Sequence, residues 1–368
     1  MKKERWRWTL VLTPVSVLLL YLARASSFFA EEVFARRIYR VCSVVLNRIS
    51  GLVPFSVAEL LLLGTLVLGV YFIGRLFVRL IRGKQKGESQ SRLVILGRFA
   101  LRLACFLSVV LFLFVFFCGI NYERYPFSYY SGLSLEKSTK QELYELCVSL
   151  AGRAKKAREE AIENDWTNRQ LGKKAAEAMA ALGREYPVLA GAYTGPKPVF
   201  FSRLLSMGET TGIFIPFTME ANVNVDCTDF TIPATMCHEL SHLRGFMRED
   251  EANYIAYLAC QYSEEPYVRY SGLMLALVYS ANRLYQEDQD LYWSMRECYS
   301  EGMIEDFRRD AVYWSQFEHT AISTAANALN DTYLKANHQN DGTKSYGRMV
   351  DLLLAEYRKE KEKENGTN

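Results

Sequence analysis

Disulfide-module spacing is missing from this chain. Its eight cysteines are scattered singly, no two of them in a CxxC pair, and Cys42, Cys105 and Cys118 stand in or near the apolar first third. A cysteine-held metal knuckle and a disulfide-stapled fold are both excluded, and the thiols read as small hydrophobes. Net charge is scant as well, at +3, and the closing stretch YRKEKEKENGTN mixes its signs. A polyanionic partner therefore finds no basic surface to answer it, and nucleic-acid binding has no support. Repeats and low-complexity insertions are absent. Histidine is scarce: there are four in 368 residues.

Apolar residues are plentiful, at 50%, and they concentrate in the first 120 positions. That asymmetry points to a membrane region followed by a soluble one. Three transmembrane helices are expected at about 9–23, 55–74 and 103–120, the last free of charge and the second carrying one acid, Glu59, near its start. The first follows MKKERWRW, and no convincing small-residue cleavage site comes after it, so it reads as an uncleaved anchor. Glu59, without an acidic or basic partner in the span, reads as a residue reaching for the interface. Basic residues near the span ends number twelve on the side of the N-terminus and second connection, against eight on the other. The N-terminus is thus expected in the cytoplasm and everything from about residue 121 outside it. The first connection, EEVFARRIYRVCSVVLNRI, has helical spacing suited either to lying on a membrane or to packing.

Beyond the spans, Thr139-x-x-Glu142 opens a helix with a capping pattern, and a second helix, rich in Ala and Lys, runs from about Thr167 to Glu185. TGIFIPFTMEANVNVD has short apolar pieces broken by a proline, as an edge strand has, and the rest to about Leu354 is mostly helical. The expected layout is a membrane region over 1–120, one mainly α domain with a small β element over 121–356, and a charged disordered tail over 357–368.

Two of the four histidines fall in TMCHELSHLRGFMREDEANYIAYLAC. His238-Glu239-Leu240-Ser241-His242 is an HExxH pattern: residues i and i+4 face the same way on a helix, so both imidazoles can reach one metal, and the adjacent glutamate can act on a bound water. Asp229 or Thr231 is available to cap this helix, Pro233 suits its first turn, Gly245 its left-handed end, and Met236, Leu240 and Leu243 form the opposite, core-facing stripe. Two histidines leave a catalytic zinc one protein ligand short. A new helix opens at Arg248, in which Glu249, Ala252, Asn253 and Ala256 share a face; Glu249 is the favoured third ligand and Glu251 the alternative. Glu239-x-x-His242 is also half of a di-iron signature, but Gln316 and Lys335 precede the other two histidines where the second glutamate is required.

HExxH followed by an E-x-E-A-N helix resembles the gluzincin zinc metallopeptidases, over about 25 residues. More closely, IFIPFTMEANVN, HELSHLRGFMREDEANYIAYLAC, RYSGLMLAL and NDTYLKANHQNDGTKSYG resemble an uncharacterised bacterial family of membrane-anchored HExxH proteins, a domain of unknown function, over most of the chain. The resemblance implies a zincin-like (gluzincin) domain in a bacterial cell membrane and a peptide or protein substrate. It implies zinc on His238 and His242 with Glu249 or Glu251, Glu239 as general base, and Asn253 supporting a ligand histidine from behind. The gap from His242 to Glu249 is shorter than in most gluzincins. An oxyanion-stabilising group is open among Tyr254, Tyr257, Tyr262, His319 and His338. The glycine-flanked β run is a candidate for aligning an extended peptide by β-addition. The competing reading is a catalytically inactive envelope protein that keeps the fold as a binding or scaffolding module.

Overall fold

A computed structural model describes residues 5–82, 92–161, 166–337 and 348–366. The chain is mainly helical. Three helices are long and apolar enough to cross a membrane: span 1, Trp6–Ala25; span 2, Val57–Ile81; and span 3, Arg92–Glu123. Spans 1 and 3 run past the expected 9–23 and 103–120 at both ends, whereas span 2 begins two residues after the expected 55 and runs on beyond 74. Flanking basic residues continue each helix, because hydrogen bonding within a helix does not stop where hydropathy does.

The first connection packs rather than floats. Phe29–Tyr39 takes the wider π pitch and Arg40–Ser50 continues as an α-helix. Its Ala30, Glu31, Phe34, Tyr39, Ser43 and Asn47 are buried. Asn47 donates to the Met219 carbonyl at 2.8 Å and accepts the Thr194 N–H at 3.0 Å. Ala23, Phe34, Tyr39, Val115 and Ile120 belong to the same hydrophobic cluster as Leu150, Leu240 and Leu277. The core is therefore built across the boundary at residue 120.

In the C-terminal part, α1 (Lys140–Glu160) and α2 (Asn168–Glu185) each begin with a capping box, Thr139 with Glu142 and Thr167 with Gln170. A three-stranded sheet follows, in the order β1 (Lys197–Pro198), β3 (Glu220–Val223), β2 (Gly212–Ile215). The TGIFIP run is an edge strand, and Pro216 lies in the turn that joins it to buried β3. Then come α3 (Ile232–Leu243), α4 (Glu249–Gln261), α5 (Pro266–Glu287), α6 (Gln289–Arg296), α7 (Glu301–Ser315), α8 (Ala321–Ala336) and α9 (Met349–Gly366). Helix α5 lies along α1, and α3 is held among α2, α4, α5 and the sheet.

Two local readings need correction. Glu59 does not reach for open interface: its carboxylate accepts the N–H groups of Phe200 and Phe201 at 2.9 and 3.0 Å, tying the first turn of span 2 to the chain after β1. Beside it, Glu220 of β3 accepts the N–H groups of Val57 and Ala58 at 3.1 and 2.8 Å and pairs with buried Lys197. The tail read as disordered from 357 is helical to Gly366; its mixed charges face α1, where Arg358 meets Glu142 at 2.8 Å and Lys361 meets Glu145.

Candidate metal centre

Helix α3 carries the HExxH pattern and is fixed at both ends by other parts of the chain. Neither Asp229 nor Thr231 caps it with a side chain: Asp229–Thr231 forms a 3-10 turn, and the Ala234 N–H goes instead to Ser271 Oγ of α5 at 2.9 Å. At the other end Gly245 takes φ +83°, so the chain reverses and its N–H returns to the His242 carbonyl at 2.9 Å. The remaining terminal carbonyls are taken from the membrane side. Tyr39 donates to those of His242 and Leu243 at 3.2 and 3.3 Å, and Arg124 to that of Arg244 at 2.6 Å. Arg124 in turn holds buried Glu31 through two bonds, 2.7 and 2.9 Å, and stacks on Phe246. Met236, Leu240 and Leu243 are fully buried on the opposite face.

One turn apart on α3, His238 and His242 bring their Nε2 atoms to 3.1 Å with rings perpendicular. Glu249, the first residue of α4, places one oxygen 3.2 Å from His238 Nε2 and the other 3.8 Å from His242 Nε2. The three ligand atoms lie within 4.8 Å of one another and could hold a metal ion. His242 Nδ1 sits 2.8 Å from the Phe246 carbonyl, which fixes the tautomer that leaves Nε2 free for a metal. Asn253 is buried one turn along α4, close to His238 and Tyr279, but neither its Nδ2 nor His238 Nδ1 has a hydrogen-bond partner among the described residues. Glu251 is turned away, accepting the Phe127 N–H at 2.8 Å and Arg248 at 2.6 Å.

Electrostatics separate the four groups. Burial pulls His238 down, but the hydrogen bond and charge of Glu249, helped by the charge of Glu239, outweigh it and raise His238 to about 9. His242 goes the other way, to about 4: burial lowers it, and the attraction of Glu249 is partly offset by repulsion from His238. For Glu249, burial is opposed by the His238 hydrogen bond and both imidazoles, which hold it below the ordinary carboxylate range. Burial pushes Glu239 up to about 8; the charge of His238 opposes this, that of Glu249 adds to it, and the nearby Phe214 backbone draws it down slightly. Glu239 Oε2 is buried with no hydrogen-bond partner among the described residues. A carboxyl group poised near neutrality, with one oxygen unengaged, is equipped to exchange protons.

Strand β2 crosses this site. Thr211 accepts the Asn224 N–H at 2.9 Å, so by antiparallel alternation the peptide groups of Gly212 and Phe214 face away from β3, toward Glu239. The Phe214 ring lies 6.3 Å from that of His242.

The family described as protein of unknown function, DUF3810, has a model that matches residues 34–354. The chain belongs to this family. No curated protein matches the chain, and no solved structure does. The family match opens inside the first connection, at the buried Phe34, and so takes in Tyr39 and Arg124, which hold the end of α3, along with the HExxH segment.

Of the residues considered for oxyanion stabilisation, His338 lies outside the described residues. Tyr254 faces Phe127 and Glu356, the Tyr257 hydroxyl takes Arg153 at 3.1 Å, and Tyr262 and His319 are exposed. Sequence reading passed over three other tyrosines. Tyr122, Tyr279 and Tyr333 all lie within electrostatic range of Glu249, and the hydroxyls of Tyr122 and Tyr333 are 3.0 Å apart. Each comes from a different element far along the chain, so no local pattern marks them.

Proposed function

We propose that this member of the family is a membrane-anchored zinc metallopeptidase with a gluzincin-like site on the extracytoplasmic side of a bacterial cell membrane. The observation that carries the reading is the convergence of His238, His242 and Glu249 beside a buried Glu239 with an unengaged oxygen. The donor set fits zinc: two imidazole nitrogens and a carboxylate, with His242 already oriented from behind, leave one of four positions for water or substrate. Bound zinc supplies Lewis acidity, acidifying water and polarising a carbonyl. Glu239 takes the proton from the attacking water and passes it to the leaving amine, a transfer suited to a carboxyl whose affinity for protons is raised by burial. The outward-facing peptide groups of β2 offer an extended chain a backbone partner along the site. Asn253, buried beside His238, would orient that ring by accepting from its unpartnered Nδ1.

The experiment uses full-length protein in detergent or nanodiscs, scored for zinc by elemental mass spectrometry and for hydrolysis with a peptide library. One zinc per chain, lost in His238→Ala, together with a Glu239→Gln variant that keeps zinc and loses hydrolysis, supports the peptidase. Folded protein that takes up no zinc when supplied with it, or a Glu239→Gln variant as active as the parent, rejects it in favour of a binding or scaffolding module.

A further inference from the structure

Two apolar surfaces are exposed among the described residues away from the HExxH helix. The first follows β1. Phe200 is 85% exposed, and Phe201 and Leu204 are exposed beside it. The one charge among them, Arg203, is exposed too, but it is paired with Asp226 at 3.2 Å and stacked on the ring of Phe317, so that its charge is matched beside the aromatic side chains. Its height relative to the membrane is fixed, because the backbone N–H groups of Phe200 and Phe201 are bonded to Glu59 in the first turn of span 2. A residue attached there stands where the span enters the bilayer.

The second is α8. Ile322, Leu329 and Tyr333 recur at intervals of seven and four and so share one stripe, with Leu329 73% exposed, while Asp331 and Lys335 pair on the opposite side. Only Ser323 and Leu334 of this helix are buried. Tyr333 fastens the stripe to the outer end of span 3, where its ring packs on Phe114 and Tyr122.

We infer that the C-terminal domain is seated in the leaflet its spans enter, with the Phe200–Leu204 turn and the α8 stripe inserted among the lipids. Continuity with the spans selects the occupant: both surfaces are bonded to span ends, so the bilayer those spans cross lies against them, and aromatic and aliphatic side chains at that level gain free energy by leaving water. The β2–β3 turn agrees with this placement, since Phe217 shares an apolar cavity of about 450 Å³ with Thr13, Leu107, Leu111 and Phe114 of spans 1 and 3. The seating does not depend on the peptidase reading. If that reading holds, the free edge of β2 opens at the membrane surface, and the substrate class is polypeptide held there.

The test places tryptophan at Phe200, Phe201 or Leu329 of the full-length chain in nanodiscs of phosphatidylcholine and phosphatidylglycerol, with Ile304→Trp, exposed on α7, as the aqueous reference. Relative to the parent protein, the added emission of F200W, F201W and L329W is expected at shorter wavelength and is lost when the acyl chains are brominated, whereas that of I304W stays red-shifted and insensitive to bromine. Red-shifted emission from the three variants, quenched by acrylamide and untouched by bromine, overturns the proposal. Blue-shifted emission without bromine quenching, in discs shown by mass photometry to hold two chains, also overturns it by assigning the surfaces to a second copy.

Discussion

The backbone of Gly212 runs directly over the carboxylate of Glu239: a Cβ at Gly212 would lie 2.5 Å from Glu239 Oε1 and 2.8 Å from Thr235. Contact this close makes Gly212→Ala a probe of position rather than of ligand set. The variant should keep its full zinc content while hydrolysis falls on the order of 10²-fold, the scale reached when a reacting group is displaced by about 1 Å. Parallel metal analysis and peptide-cleavage rates read the two effects separately; loss of zinc along with activity would show that the strand supports the ligands too.

Proton competition should govern metal affinity. His238 is raised to about 9 and must shed its proton to bind, whereas His242, lowered to about 4, and Glu249 are already in their ligating forms. Affinity is therefore expected to weaken about tenfold for each pH unit below 9, one proton being displaced per ion bound, and to level off above it. Chelator competition across the neutral range measures the slope.

Asn253→Ala removes the neighbour behind His238 without touching a ligand. Zinc affinity should drop by about 10–100-fold, the usual consequence of losing such a support, with stoichiometry at saturating metal unchanged. Glu249→Gln should lose more than this, and Glu251→Gln, whose carboxylate serves Phe127 and Arg248, should lose little affinity.

Glu31 and Arg124 are buried together, and burial raises the Glu31 carboxyl while Arg124 draws it down further, so that its net shift is downward. A group depressed in the folded state contributes stability above its unfolded pKa and loses it as pH falls through the folded value. Arg124→Ala leaves the carboxylate buried without its main partner and should cost about 3–5 kcal/mol. Denaturation of the purified chain in detergent measures the loss, which should shrink in acid.

How much of this the sequence discloses depends on whether the deciding contact is local. The i, i+4 histidines, the face shared by Glu249 and Asn253, the two capping boxes and Gly245 are all decided within one or two turns, and each is readable from spacing. The separation of Glu249 from Glu251 follows from the same helical arithmetic. Supports from elsewhere were not legible: Ser271 capping α3, Tyr39 and Arg124 on its last carbonyls, and Glu59 holding Phe200 and Phe201 all join segments far apart. The first connection shows why, since its amphipathic spacing suits a lipid surface and a protein surface equally. The tail misled for a related reason. Alternating charges describe a solvated coil until the partners on α1 are known.

The carbonyl ends of the helix bearing both histidines are held by Tyr39 and Arg124, residues that precede or abut the last span. A fragment that begins after the third span would leave Tyr39, Glu31 and Asn47 behind and carry an unbraced edge beneath His238 and His242. Shedding from the membrane is thus expected to disable this protein rather than to liberate it.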